Sequence, residues 1–259
     1  MTPTRFPWRS TLIAAAGVSA LAGAALVLGP VGSAAAAPAP QATVSLSGWQ
    51  LTLPVDSSGC QCGDAKTVSP AAISSPWLTR TSSGSLGFWA PTKGATTPNS
   101  AHPRTELVST SHWTGDSSTK HELKATLSIQ DLPSGKDIII GQIHGGGSSS
   151  SIPLLMLHYK SGDLVVYTRK TPSVASSTTK TVLTGVPLNS SFSYTISETG
   201  KSMTVTADYS GKSGSATISL PSGFDGMELR FQAGDYQQTD ANSSSTDGGR
   251  LTISSLSKD

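Results

Sequence analysis

Gln142 and His144 stand two residues apart in Gly141-Gln142-Ile143-His144-Gly145-Gly146-Gly147, directly after the apolar run Ile138-Ile139-Ile140. An apolar run cut off by glycines and serines reads as a buried strand and its end. Side chains alternate across a strand, so Gln142 and His144 share one face and Ile143 takes the other. An amide and an imidazole side by side, next to backbone that no side chain obstructs, can hold a polar ligand and move a proton. A single histidine in such a place is more often just hydrogen-bonded, so the reading needs companions.

Two further segments supply them. In Pro103-Arg104-Thr105-Glu106-Leu107-Val108, Arg104 and Glu106 share a face. In Glu228 to Gln238, Leu229, Phe231 and Ala233 form a core face. Glu228, Arg230, Gln232 and Tyr236 fall opposite, with Gly234 a place where the strand can bend. Taken singly, each has a plain explanation: Arg104 and Glu106 as a weak surface pair, Tyr236 as a rim aromatic.

The elements that must position these residues are strands. Alternating or apolar runs fall at 48–54, 86–90, 104–109, 121–129, 137–144, 152–159, 164–168, 192–197, 203–209, 216–220, 227–233 and 251–256. Hairpin signals lie at Lys160-Ser161-Gly162-Asp163 and Glu198-Thr199-Gly200-Lys201. One short helical turn could start at Ser69-Pro70. Helical periodicity is otherwise nearly absent, which predicts an all-β chain of two packed antiparallel sheets. The segment from Pro91 to Pro103 holds three prolines and no strand pattern, as binding loops often do.

Residues 1–40 read as a signal peptide, with Arg5 and Arg9, an apolar stretch from Thr11 to Gly29, and Ala34 to Ala37 as a small-residue cleavage zone. Cleavage is expected near 35–39, leaving one domain at 41–259 and a secreted, extracellular protein. The whole chain has 18 Lys+Arg against 16 Asp+Glu. Losing Arg5 and Arg9 makes the two equal, so any anionic polymer must meet locally gathered cations rather than net charge. The apolar leader stretch is nearly long enough to anchor in a membrane, but its cleavage zone fits removal better, so neither nucleic acid nor a membrane is the expected partner; no dinucleotide, phosphate or calcium loop is present. Cys60 and Cys62 are the only cysteines. Export favours a local disulfide over two free thiols, and two ligands are too few for a closed zinc site.

Three segments together resemble the signature segments of alginate lyases of polysaccharide lyase family 7. Arg104-Thr105-Glu106-Leu107 is similar to the first, Gln142-Ile143-His144 to the second, and Phe231-Gln232-Ala233-Gly234-Asp235-Tyr236-Gln237-Gln238 to the third, in the same order. The resemblance implies a β-jelly-roll sandwich with a substrate cleft on its concave sheet. It also implies endolytic β-elimination on a 1,4-linked uronan by a monomer needing no cofactor and no metal. In that scheme Arg104 and Gln142 neutralise the substrate carboxylate, and His144 and Tyr236 transfer protons. Glu106, Arg230, Gln232 and Gln238 are the expected substrate-binding residues, with Glu106 chiefly orienting Arg104. Isoleucine at 143 accompanies guluronate-containing substrates in the family. Three positions depart from it. Val108 and Gln232 stand where arginine and lysine are usual, and Gln237 where asparagine is; Arg230 can restore one charge. These departures leave two other readings: a lyase for another polyuronate such as glucuronan, and a carbohydrate-binding sandwich without catalysis.

Overall fold

The structure, a computed structural model, describes residues 43–70 and 76–259. The expected leader, and most of the helical turn expected from Ser69, lie outside the described residues. In chain order the strands are β1 (Trp49–Thr52), β2 (Thr67–Val68), β3 (Leu78–Arg80), β4 (Leu86–Pro91), β5 (Arg104–Ser109) and β6 (Trp113–Thr114). β7 (His121–Asp131), β8 (Asp137–Gly145), β9 (Pro153–Lys160), β10 (Asp163–Thr171) and β11 (Val174–Leu183) follow. β12 (Phe192–Thr199), β13 (Ser202–Tyr209), β14 (Lys212–Ser219), β15 (Glu228–Gln237) and β16 (Gly248–Lys258) complete the set.

They form the expected jelly-roll sandwich of two antiparallel sheets. One runs β11-β10-β9-β8-β15-β5-β1-β2, with β6 joined to β15; the other runs β14-β13-β12-β7-β16-β4-β3. Ile138, Ile140, Ile143, Leu229 and Phe231 of the first sheet share a buried core with Leu123, Leu127, Ile196, Val205 and Ile253 of the second. Burying such side chains fully is worth about 1.5–3 kcal/mol each, which is why one face of every central strand is apolar. β11 was not expected. Its Val-Ala-Ser-Ser-Thr-Thr-Lys run is mostly exposed at the sheet edge, so little burial marks its pattern.

Strict alternation would put Ile138, Ile140, Gln142 and His144 on one face of β8. A bulge prevents this. Ile139 pairs with His158 and Gly141 with Leu157, so Ile140 is the extra residue. Ile140 and Gly141 both turn inward, and the polar pair beyond them turns outward. The Ile140 carbonyl accepts a hydrogen bond from the Tyr194 hydroxyl of the facing sheet at 2.8 Å. A Cβ on Gly141 would stand 2.6 Å from that hydroxyl oxygen, so only glycine fits there.

Cys60 and Cys62 are bridged. Their loop is tied to the proline-rich segment by Ala65 N–H to the Thr96 carbonyl and Thr96 N–H to the Gly63 carbonyl, at 2.9 and 3.0 Å.

Candidate active site

A cleft of about 740 Å³ crosses the outer face of the sheet that carries β8. Arg104, Gln142, His144, Arg230, Gln232, Tyr236 and Gln238 all line it. Pairing explains why residues so far apart in sequence meet. β15 lies between β8 and β5, with Arg230 opposite His144, Gln232 opposite both Gln142 and Val108, and Tyr236 opposite Arg104. Gly234 does not upset the alternation: Arg230, Gln232, Tyr236 and Gln238 all face the cleft.

Glu106 is different. It is fully buried beneath the cleft floor, where substrate cannot reach it. Its carboxylate accepts from Arg104 Nη1 at 3.1 Å and from Gln142 Nε2 at 2.5 Å. The expected substrate-binding residue is therefore a buried anchor for two others. Burial pushes its carboxyl up, and the Arg104 guanidinium and the Gln142 hydrogen bond oppose that shift.

Gln142 also departs from expectation. Its amide nitrogen donates to Glu106 and, at 3.1 Å, to Gln232 Oε1. An amide has two hydrogens, so both are used. Gln232 accepts through its oxygen, which leaves its own NH₂ uncommitted to Gln142. Gln142 thus holds Gln232 in place on the cleft floor.

His144 is 8% exposed. Its Nδ1 lies 3.3 Å from the Gly145 carbonyl. A carbonyl only accepts, so Nδ1 carries the hydrogen and Nε2 keeps a lone pair. Burial pushes the imidazole down to about 3, and Arg104, Arg230 and Arg169 push the same way against the Gly145 hydrogen bond. The ring is neutral at ordinary pH.

Arg104 spans the site. Its Nη2 donates to Thr97 Oγ1 at 3.2 Å, and its guanidinium carbon lies 3.4 Å from the Tyr236 ring centroid. The Tyr236 hydroxyl is 2.9 Å from Ser100 Oγ. Thr97, Ser100 and Arg169 also line the cleft and were missed from sequence. The turn signature Thr97-Pro98-Asn99-Ser100 pointed to the first two. Arg169 continues the outward face of β10 after Val165 and Tyr167, one residue past the expected strand end.

The glycines after His144 serve the chain rather than a ligand. A Cβ on Gly145 would lie 2.0 Å from the Ser149 carbonyl oxygen, and one on Gly147 would meet the Glu228 carboxylate. Residues 145–152 fold back as a tight turn, closed by Gly145 N–H to the Ile152 carbonyl at 2.8 Å. Among the described residues, Asp56 with Cys60 and Cys62 is the one group with metal-ligand spacing. The disulfide removes both thiolates that a metal would need.

The profile of the alginate lyase family matches residues 44–259. An alginate lyase from Klebsiella pneumoniae is 29% identical over 83% of this chain and 89% of its own length. The crystal structure of an alginate lyase from Pseudomonas aeruginosa is 31% identical, covers 83% of this chain and 99% of that one, and superposes with a TM-score of 0.71. Alginate lyase A1-II', a member of polysaccharide lyase family 7, has been solved in complex with the substrate GGMG. In that complex it is 26% identical, covers 86% of this chain and 97% of that one, and gives a TM-score of 0.71. With the family profile matched across nearly the whole described chain, this protein belongs to the alginate lyase family, polysaccharide lyases that act by β-elimination.

Proposed function

We propose that this chain is exported, loses residues 1–40, and acts as a monomeric 41–259 domain that cuts guluronate-containing alginate within the chain. One observation carries the reading: a neutral imidazole and a phenol hydroxyl line the same cleft, with the Arg104 guanidinium over the phenol ring. β-Elimination removes the proton on C5, next to a carboxylate, and breaks the bond to O4. The carboxylate resists further negative charge until it is neutralised. Arg104 supplies charge for this, and Gln232 an amide donor. His144 takes the C5 proton and Tyr236 gives one to O4; for substituents on one side of the ring, Tyr236 serves both steps. Arg230 and Gln238 bind flanking sugars. No step calls for a metal, because arginine takes the place of a Lewis acid.

The cleft crosses eight strands, from Thr67 on β2 to Ala175 on β11, and an open trough of this kind admits the middle of a polymer. The relative with GGMG bound supports a guluronate-containing ligand. A second reading, action on glucuronan, rests on Val108 and Gln232 standing where cations are usual. The test is ultraviolet absorbance of unsaturated uronic ends on polyguluronate, polymannuronate and glucuronan, with viscosity followed in parallel. Fast viscosity loss on polyguluronate is the expected result. Absorbance on glucuronan alone would favour the second reading, and absorbance without viscosity loss would exclude endolytic action.

A further inference from the structure

The turn Thr97-Pro98-Asn99-Ser100 lines the cleft beside Arg104 and Tyr236. Ser100 N–H donates to the Thr97 carbonyl at 3.1 Å, and Asn99 has φ 66°. Proline second and a left-handed residue third is the pattern of a type II turn. Asparagine takes that conformation more readily than most residues. The two ends of the turn hold two site residues: Thr97 Oγ1 receives Arg104, and Ser100 Oγ meets the Tyr236 hydroxyl.

Ser100 is itself fastened. Its Oγ accepts from His102 N–H at 3.1 Å and lies 3.2 Å from the His102 carbonyl. A hydroxyl has one hydrogen and two lone pairs. His102 N–H occupies one lone pair. The hydrogen then has two acceptors in reach, the His102 carbonyl and the Tyr236 oxygen. Pointed at the carbonyl, it leaves the phenol donating to Ser100. Pointed at Tyr236, it frees the phenol hydrogen for another acceptor and holds the phenol oxygen with a donor.

We propose that Ser100 is a positioning residue for the elimination, its hydroxyl turning from the His102 carbonyl to the Tyr236 oxygen as Tyr236 releases its proton. This rests on the reading of Tyr236 as the donor to O4. The Tyr236 proton goes to O4 as the C4–O4 bond breaks. The C5 proton goes to His144 Nε2, and the electron pair it leaves forms the C4=C5 double bond. Ser100 keeps its own proton throughout, and exchange with water restores His144 and Tyr236. Negative charge growing on the phenol oxygen meets the Ser100 hydroxyl, with the Arg104 guanidinium over the ring. Hydrogen bonds to a charged acceptor are stronger than neutral ones. Ser100 therefore stabilises the transition state more than the resting state, which is what raises turnover.

Ser100→Ala and Ser100→Thr are compared with the parent on alginate, with thermal melts as a folding control. Ser100→Ala is expected to lower kcat about 10-fold to 100-fold, with KM little changed. Ser100→Thr keeps the hydroxyl and is expected to restore most of the loss. In a Tyr236→Phe background, Ser100→Ala should remove nothing further from the residual rate. An unchanged kcat in Ser100→Ala, a loss carried by KM, or a further loss in the Tyr236→Phe background would overturn the proposal. Near-parent turnover in Tyr236→Phe would overturn the reading of Tyr236 and this proposal with it. An inactive Tyr236→Phe beside an unaffected Ser100→Ala would remove this proposal alone.

Discussion

Val108 on β5 and Gln232 on β15 are direct partners across the cleft floor. The two positions where the chain lacks its family's usual cations are therefore one place in the fold. Their row runs on to Gln142 and Met156 on one side and to Gln50 on the other. Cations remain at the end of the cleft near His144, as Arg230 and Arg169. Returning charge to the middle should tighten the hold on a polyanion. Val108→Arg with Gln232→Lys is expected to lower KM roughly 10-fold at low ionic strength, about 1.4 kcal/mol. Added salt should erase the gain. A KM indifferent to both substitutions at low salt would mean that the row does not face substrate.

Glu106 holds Arg104 and Gln142 from below, so removing it leaves a buried guanidinium without its ion partner. Glu106→Ala is expected to destabilise the fold by roughly 3–5 kcal/mol. Glu106→Gln should cost less stability yet still lower kcat, because Arg104 loses its charged anchor. Chemical denaturation and steady-state kinetics on the same variants separate these effects. Full activity in Glu106→Ala would mean that Arg104 is held by Thr97 and the Tyr236 ring alone.

The bulge in β8 depends on a residue of the other sheet. Tyr194→Phe leaves the Ile140 carbonyl buried without its donor, at a cost of about 1–3 kcal/mol. Gly141→Ala presses a methyl against the same hydroxyl, so Ala with Tyr194→Phe should be better tolerated than Ala alone. A double-mutant cycle on melting midpoints measures that coupling. Simple additivity would show that Tyr194 does not confine position 141.

How much of this could be read in advance follows from the range of each cue. That Gln142 and His144 share a face, as Arg104 does with Glu106, is local alternation and was legible. That Ile138 and Ile140 point away from Gln142 was not, because the bulge exists only in the pairing with β9. The burial of Glu106 was hidden for a similar reason: alternation assigns a side, not a depth. β11 escaped because an exposed edge strand of serine and threonine has no apolar stripe. Ser100 and Thr97 carried a turn signature but no hint of the partners that folding brings to them.

Asp235 is fully buried in the core next to Gly249, and burial pushes its carboxyl well above the usual range. It stays protonated in the fold at pH values where the unfolded chain has ionised. The folded state then binds more protons, so this contribution is complete below the unfolded value. It declines as pH rises toward the folded one. Asp235→Asn removes that decline. The variant is expected to gain stability over the parent progressively as pH rises above the ordinary aspartate value. Melts across this range check it, and a constant difference would mean that Asp235 is ionised in the fold.

His144 makes the opposite prediction. Its folded value of about 3 lies below the ordinary histidine value of 6.5. Between these the unfolded chain binds a proton that the folded site refuses, so stability falls as pH drops from 6.5 toward 3. Above 6.5 the contribution is complete. Catalysis has a matching signature, because a ring that stays neutral imposes no acid limb of its own near neutrality. The ring resonances of His144 should remain flat from pH 8 to about 4. A His144 midpoint near 6.5 would place the imidazole in contact with solvent, and the base would then be switched on by pH rather than standing ready.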